Sequence, residues 1–158
     1  MFDLQKFARD SEDITYRGRR RWSGNYGKVY INNIFIFEIS SFECKVNIER
    51  EDVWIGNSKD SKVTGLVGEG TVTIKKVYDN GVREYLENQK AGHDERFTLY
   101  GIMADPDTIG GQQTRFSIDN VWFNDLDILH FSKNEMVETE MPFGFTPEDV
   151  QFQSIVSK

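Results

Sequence analysis

The sequence is poor in the residues from which covalent and metal-bound frameworks are built. It has one cysteine, three prolines and two histidines in 158 residues. The single thiol, Cys44, excludes an internal disulfide framework and a thiolate metal cluster. This cysteine usage fits synthesis in a reducing cytoplasm.

Long hydrophobic runs are also missing. No apolar segment of the sequence approaches the roughly 20 residues of a membrane span. The acidic start, Phe2-Asp3-Leu4, lacks the basic region and apolar core of a signal peptide. We therefore expect no membrane anchoring and no export by the general route.

Motifs for catalysis or ligand binding are equally scarce. Neither His93 nor His130 has a nucleophile or carboxylate at the spacing of a catalytic motif. Gly68-Glu69-Gly70 lacks the spacing of a phosphate-binding loop and indicates the entry to a strand. Two aspartate pairs lack the glycine and glutamate of a calcium loop: Asp105 with Asp107, and Asp125 with Asp127. We expect no cofactor, no metal and no enzymatic activity, although a site assembled from distant residues would escape a motif search.

Charge is unevenly distributed along the chain. Residues 1–25 carry six basic and four acidic residues, whereas residues 26–158 carry 13 basic and 22 acidic ones, a net charge of −9. Such a body repels nucleic acid. The exception is Arg17-Gly18-Arg19-Arg20-Arg21, which has no interleaved stacking aromatics. We interpret it as part of a solvated or neighbour-docking arm, with nucleic-acid binding as the weaker alternative.

What the chain does have is alternation. One long extended segment places Phe42, Cys44, Val46 and Ile48 on one face and Glu43, Lys45, Asn47 and Glu49 on the other. A second, over residues 136–145, places Val137, Thr139, Met141, Phe143 and Phe145 opposite Glu138, Glu140, Pro142 and Gly144. Both patterns predict half-buried strands, and they make Cys44 a small core residue rather than a nucleophile.

Shorter sequence motifs predict the remaining turns, strands and helix. Asn32-Asn33 predicts a two-residue hairpin turn before a strand that runs from Ile34 to about residue 50. Residues 51–66 read as a long charged loop that contains Val53-Trp54-Ile55. A strand is predicted from Gly68 to Val77, then a helix with Asp79 or Asn80 as its cap and Gly92 at its end. Further strands are predicted over residues 94–104, 115–123 and 126–131. The adjacent Val121-Trp122-Phe123 suggests a bulge or burial on both sides of the sheet.

These patterns define a single domain. We assign residues 1–21 to a flexible N-terminal arm, 22–151 to a β domain and 152–158 to a C-terminal tail. With 13% aromatic but only 38% hydrophobic residues, the sequence fits a β protein that is completed by its neighbours.

The order and spacing of these pieces resemble bacteriophage tail tube proteins, in particular those of PBSX-like prophages with contractile tails. The resemblance covers residues 24–151 and is carried by short segments in order. They are Ser23-Gly24, Gly27-Lys28-Val29-Tyr30-Ile31-Asn32, Phe42-Glu43-Cys44-Lys45-Val46, Gly65, Gly68-Glu69-Gly70-Thr71-Val72-Thr73, Lys76-Val77, Phe97-Thr98-Leu99 and Glu140-Met141-Pro142-Phe143-Gly144-Phe145. The arginine-rich arm departs from the family pattern.

The resemblance implies a mainly β fold, a β-sandwich or partly closed barrel with one flanking α-helix. It implies six copies in a ring, rings stacked into a hollow tube, and a virion tail or tail-like particle assembled in the bacterial cytoplasm. The implied partners are the tail sheath, tape-measure, baseplate and tail-terminator proteins, with DNA only as passing cargo. It also places subunit contacts in the segment after the long strand, at Val53, Trp54, Ile55, Lys59 and Asp60.

The polar faces of the two long strands supply candidates for the lining of such a tube. They are Glu43, Glu49, Glu138 and Glu140, which would repel phosphate and let DNA pass without adhering. The alternative is that these carboxylates merely face solvent. For the whole chain, a type VI secretion-like tube protein, a tail-like bacteriocin and a monomeric β-barrel binding module remain as alternatives.

Overall fold

The computed structural model describes residues 18–36, 38–78 and 81–157. Eight strands and one α-helix lie in this part of the chain. Most of the expected arm, residues 1–17, lies outside the described residues, as do Asp79 and Asn80, the expected helix caps. The elements are β1 Gly27–Ile31, β2 Ile34–Phe35, β3 Ile39–Ile55, β4 Ser58–Lys75, α1 Val82–Lys90, β5 Phe97–Met103, β6 Thr114–Phe123, β7 Glu138–Phe145 and β8 Val150–Ser154.

All strand pairs are antiparallel, and the order across the sheet is β2-β1-β5-β6-β7-β4-β3. Strand β6 pairs with β5 on one edge; its other edge pairs with β8 near Arg115 and with β7 at Trp122 and Phe123. The sheet therefore divides at β6 into two parts, one with β1, β5 and β8 and one with β3, β4 and β7. In the part of the chain that the structure describes, the sheet does not close, because β2 and β3 form its two ends. The expected mainly β fold is confirmed.

The core lies between these two parts of the sheet. Its fully buried residues come from both sides: Val29, Val72, Leu99, Ile118, Val121, Phe143 and Phe145. Phe42 of β3 stacks on Phe143 at 6.0 Å and on Phe116 of β6 at 6.1 Å between ring centroids. The alternating patterns of the sequence are confirmed for Phe42, Cys44, Met141, Phe143 and Phe145, which pack in or against the core. They are wrong for Val46 and Ile48, which are 41% and 54% exposed.

Four aromatic rings lie on glycines of the neighbouring strand. In each case ring and glycine are directly paired: Phe145 with Gly68, Phe143 with Gly70, Phe116 with Gly101, and Trp122 with Gly144. A Cβ atom added at any of these glycines would come within 2.3 to 2.6 Å of its nearest neighbour. The glycines are therefore required for space, because none of them has a positive φ.

A buried carboxylate fixes the segment that leads into β1. Asp105 is 4% exposed and accepts hydrogen bonds from the backbone N–H of Ser23 and of Asp107, both at 2.9 Å. Arg20 adds hydrogen bonds to the carbonyls of Asp107 and Thr108 at 3.2 Å. A carboxylate whose two oxygens both accept backbone donors tolerates burial.

Helix α1 packs over one end of the sheet and buries none of its residues fully. The helix begins after Gly81, which has a φ of 80° and makes no side-chain capping hydrogen bond. Gly92, with a φ of 84°, follows its last turn. Tyr85 carries the main contact, with its ring 5.6 Å from that of Phe97. Gly92 at the end of the helix agrees with the sequence-based expectation.

Three expectations about the strands are wrong. The strand predicted from Ile34 is two strands, since β2 ends at Phe35 and β3 begins at Ile39. Residues 51–66 are not a loop but the outer part of a hairpin, because β3 continues to Ile55 and β4 returns from Ser58. Residues 126–131 contain no strand. The sequence also predicts only a tail at the C-terminus, where Val150–Ser154 forms β8 on β6.

We predict that Gly70→Ala lowers the free energy of unfolding by about 1–3 kcal/mol, the usual cost of overpacking. Its Cβ would lie 2.3 Å from the carbonyl oxygen of Glu43 and 2.4 Å from the ring of Phe143, and the backbone atom cannot move aside. Urea unfolding of dilute protein measures the difference. The control is Gly24→Ala, where nothing lies within 4 Å of the added methyl. Equal destabilisation of the two variants would contradict the steric explanation.

Candidate functional site

The outer part of the β3–β4 hairpin projects from the body; we call residues 46–67 the hairpin arm. Strand β7 pairs with β4 only as far as Gly68, so among the described residues β3 and β4 pair only with each other beyond it. Every residue of the hairpin arm is exposed except Gly65, which is half-buried. The turn at its tip uses Gly56 with a φ of 63°.

The hairpin arm carries far more apolar surface than an isolated ribbon requires. Eight of its apolar side chains are between 41% and 67% exposed: Val46, Ile48, Val53, Trp54, Ile55, Val63, Leu66 and Val67. A two-stranded ribbon alone is marginally stable in water, and contiguous exposed apolar surface marks interaction sites. The hairpin arm is therefore the strongest candidate surface for contact with another protein.

The five residues predicted to contact neighbouring subunits lie together at the tip of the hairpin arm. Trp54 pairs with Lys59, and Val53 pairs with Asp60. Because paired residues point to the same side of a sheet, Trp54 and Lys59 occupy one face and Val53, Ile55 and Asp60 the other. Trp54 is 67% exposed. Their role as contacts stays a prediction.

The four predicted lumen-facing carboxylates share the face of the sheet that points away from the core. Glu43 aligns with Thr71 and Pro142 across three strands, and Glu140 lies opposite Thr73 in the next row. Glu138 and Glu49 continue this face at its two ends, and all four glutamates are exposed. The structure thus brings together residues that are almost 100 positions apart, while their place in a lumen stays a prediction.

This face is acidic but not uniformly so. Lys45 lies 3.2 Å from a carboxylate oxygen of Glu43 and 3.7 Å from one of Glu69. The hydrogen bond and charge of Glu43, followed by the charge of Glu69, raise the pKa of Lys45. Lys75 lies opposite Glu138. Exposed pairs of this kind contribute little to stability, so their main effect is to reduce the negative charge of the face locally.

Sequence reasoning missed one feature of this face. The ring of Trp122 covers Gly144, and the guanidinium of Arg96 lies 4.8 Å from the ring centroid. Arg96 in turn pairs with Asp94 at 2.7 Å. The signal in the sequence was the bulge or two-sided burial suggested at residues 121–123. Val121 is in the core, Trp122 is half-buried on the opposite face, and the pairing of β6 with β5 is irregular just before them.

Sequence reasoning also missed an apolar groove between α1, β2 and the segment after β6. It has a volume of about 620 Å³. Its lining includes Ile31, Ile34, Phe35, Phe97, Leu126 and Met141. Two carboxylates, Glu38 and Asp127, lie at its border. An adjoining cavity of about 370 Å³ shares Leu126 and Asp127 and is lined mainly by acidic residues.

The described residues offer little for catalysis or metal binding. Cys44 packs against the core, and burial raises the pKa of its thiol to about 11, so the thiolate is scarce at neutral pH. His130 is exposed and lies 2.5 Å from Asp127. Among the described residues no three metal-ligating side chains form a cluster suited to a metal ion, and no helix there is long and apolar enough to span a membrane.

Comparison with known proteins agrees with the resemblance drawn from the sequence. A family model described as phage tail tube protein matches residues 14–152. The phage-like element PBSX protein XkdM of Bacillus subtilis (strain 168) is 30% identical over 131 residues, which cover 81% of this chain and 88% of that protein.

Two solved structures share the fold at low sequence identity. One is a chain of the sheath-tube complex of an extracellular contractile injection system in its extended state. Its TM-score is 0.66 at 9% identity, over 93% of this chain and 99% of that one. The other is a chain of the anti-feeding prophage tube-terminating cap, with a TM-score of 0.65 at 11% identity, over 94% and 97% of the two chains. From the family match and the relative together, the chain belongs to the phage tail tube protein family, whose members are structural proteins rather than enzymes.

Proposed function

We propose that this protein is the repeating subunit of a contractile-tail tube, in which six copies form a ring and rings stack into a hollow conduit. The observation that carries the proposal is the hairpin arm, whose exposed apolar side chains and unpaired strand edges call for a partner. The two solved structures, a sheath-tube complex and a tube-terminating cap, are the kind of assembly in which such a subunit works.

The strand edges support self-association in particular. Strand β3 ends the sheet and, among the described residues, pairs only with β4, which leaves an edge of 17 residues available. A free edge of this length is a template for a further strand, and proteins that keep one soluble usually cover it. Pairing between identical copies around an axis removes the free edges of every copy in the ring.

The tube defines the role of the acidic face and the partners of the subunit. The acidic face formed by Glu43, Glu49, Glu138 and Glu140 lines the lumen, and DNA passes it as cargo without binding. Sheath, tape-measure, baseplate and terminator proteins are the partners, and assembly takes place in the host bacterial cytoplasm. XkdM comes from a phage-like element, which favours this reading over a type VI secretion tube.

We predict that Trp54→Ala leaves the monomer folded but suppresses polymerisation. Trp54 makes no core contact, whereas loss of a buried interface tryptophan costs about 2 kcal/mol or more. Circular dichroism tests the fold, and negative-stain electron microscopy counts rings and tubes. The matched control is Phe131→Ala, an aromatic residue that is equally exposed at 67%. Tubes of normal yield and length from the Trp54 variant would refute the contact.

We predict that Glu138→Lys with Glu140→Lys impairs DNA delivery more than tube assembly. The two changes shift the charge of the proposed lumen by +4 per copy, and basic side chains there would retain phosphates. Tube yield is counted by microscopy, and delivery is measured as genome ejection per particle at low and high salt. A control with Glu87→Lys and Glu148→Lys makes the same charge change at two exposed positions outside β3, β4 and β7. Parallel loss of tubes and delivery would assign Glu138 and Glu140 to packing instead.

A further inference from the structure

The tip of the hairpin arm and the apolar groove lie at opposite ends of the same hairpin. Glu38, which precedes β3, borders the groove, and β3 ends at Ile55 beside the tip. At about 3.3 Å per residue, a strand of this length spans roughly 55 Å. A copy therefore cannot place its own tip in its own groove, and any contact between the two joins different copies.

The groove is chemically suited to one large apolar side chain with a cation beside it. Most of its lining residues are aliphatic or aromatic, and two of them, Ile34 and Phe35, are 66% and 44% exposed. Two carboxylates, Glu38 and Asp127, lie at its border. Lys76 also lines the groove and has its own interactions within the chain.

The two faces of the hairpin arm differ in charge, and only one complements this border. The face with Trp54 carries Arg50, Asp52 and Lys59, one positive charge in excess. The opposite face carries Glu49, Glu51, Asp60 and Lys62, two negative charges in excess. Lys59 pairs directly with Trp54, so a ring inserted into the groove brings this ammonium toward the acidic border. Its pairing with Asp52 at 3.0 Å is exposed and costs little to rearrange.

We propose that the groove beside α1 receives Trp54 from the hairpin arm of the next copy, with Lys59 facing Glu38 and Asp127. This inference rests on the proposed tube function and names the acceptor surface of the hairpin arm. Each copy offers one tip and one groove, and the two do not coincide. The contact is therefore head-to-tail, which is the kind of contact that can repeat from copy to copy along an axis.

Cross-linking between differently labelled copies tests the contact directly. Both chains carry Cys44→Ala, which removes the native thiol; one has Ser58→Cys at the tip and the other Ile34→Cys at the groove. Neither change alters Trp54 or Lys59. After co-assembly and treatment with a short bis-maleimide linker, we expect a cross-linked dimer in the mixture and none in either chain alone.

A matched groove-distant site makes the result decisive. Phe152 is 66% exposed, like Ile34, but lies on β8. Tubes that cross-link Ser58→Cys with Phe152→Cys, or that form without any link to Ile34→Cys, would overturn the proposed acceptor while leaving the tube function intact. Failure of the unmodified chain to form rings or tubes would instead reject the proposed function.

A double-mutant cycle covers the case in which a cysteine variant fails to assemble. We expect Trp54→Ala and Phe35→Ala each to raise the critical concentration for tube formation about 30-fold, equivalent to roughly 2 kcal/mol. The double variant should be only slightly worse than either, because both changes remove the same contact. Trp54→Ala with Phe152→Ala should show full additivity. Additive effects for Trp54 and Phe35 would show that the two residues do not meet.

Discussion

The fold depends on aromatic rings that lie on glycines of the adjacent strand. Phe143 packs on Gly70 and Phe145 on Gly68 across the β7–β4 pair, and Phe116 packs on Gly101 across the β6–β5 pair. A ring can lie flat on its neighbour only where no Cβ intervenes, so this packing fixes the strand register and the core at once. A slip of one residue would place each ring against a side chain.

The same constraint explains why the body and the hairpin arm differ in burial and in stability. Where β4 lies between β3 and β7, rings of β7 pack on glycines of β4 and the core side chains are buried. Beyond Gly68 the ladder has two strands, no ring lies on a glycine among the described residues, and apolar side chains remain exposed on both faces. The body is therefore stabilised by its own core, whereas the hairpin arm is stabilised only when another protein surface covers Trp54 and its neighbours.

Sequence patterns predicted the body well because period-two alternation reports burial directly. Phe42, Met141 and Phe143 fell on the correct face, and Asn32 and Asn33 turn the first hairpin with φ values of 50° and 65°. Residues 51–66 of the hairpin arm were predicted to be a loop because a ribbon exposed on both faces needs no apolar-polar alternation, which is the sequence signal of a strand. The groove could not be predicted, since it unites residues from β1, β2, β5, β7 and the segment after β6. The grouping of Glu43 with Glu140 depended likewise on β4 lying between their strands.

The pairing of β4 with β7 also decides how this protein carries mechanical load. A pull along the hairpin arm stretches the covalent backbones of β3 and β4 and reaches the body through eight residue pairs of the β4–β7 ladder. Their hydrogen bonds run perpendicular to that pull. The hydrogen bonds are therefore loaded in shear and at the same time, rather than opened one after another. The hairpin arm separates from the body only when all of them break together.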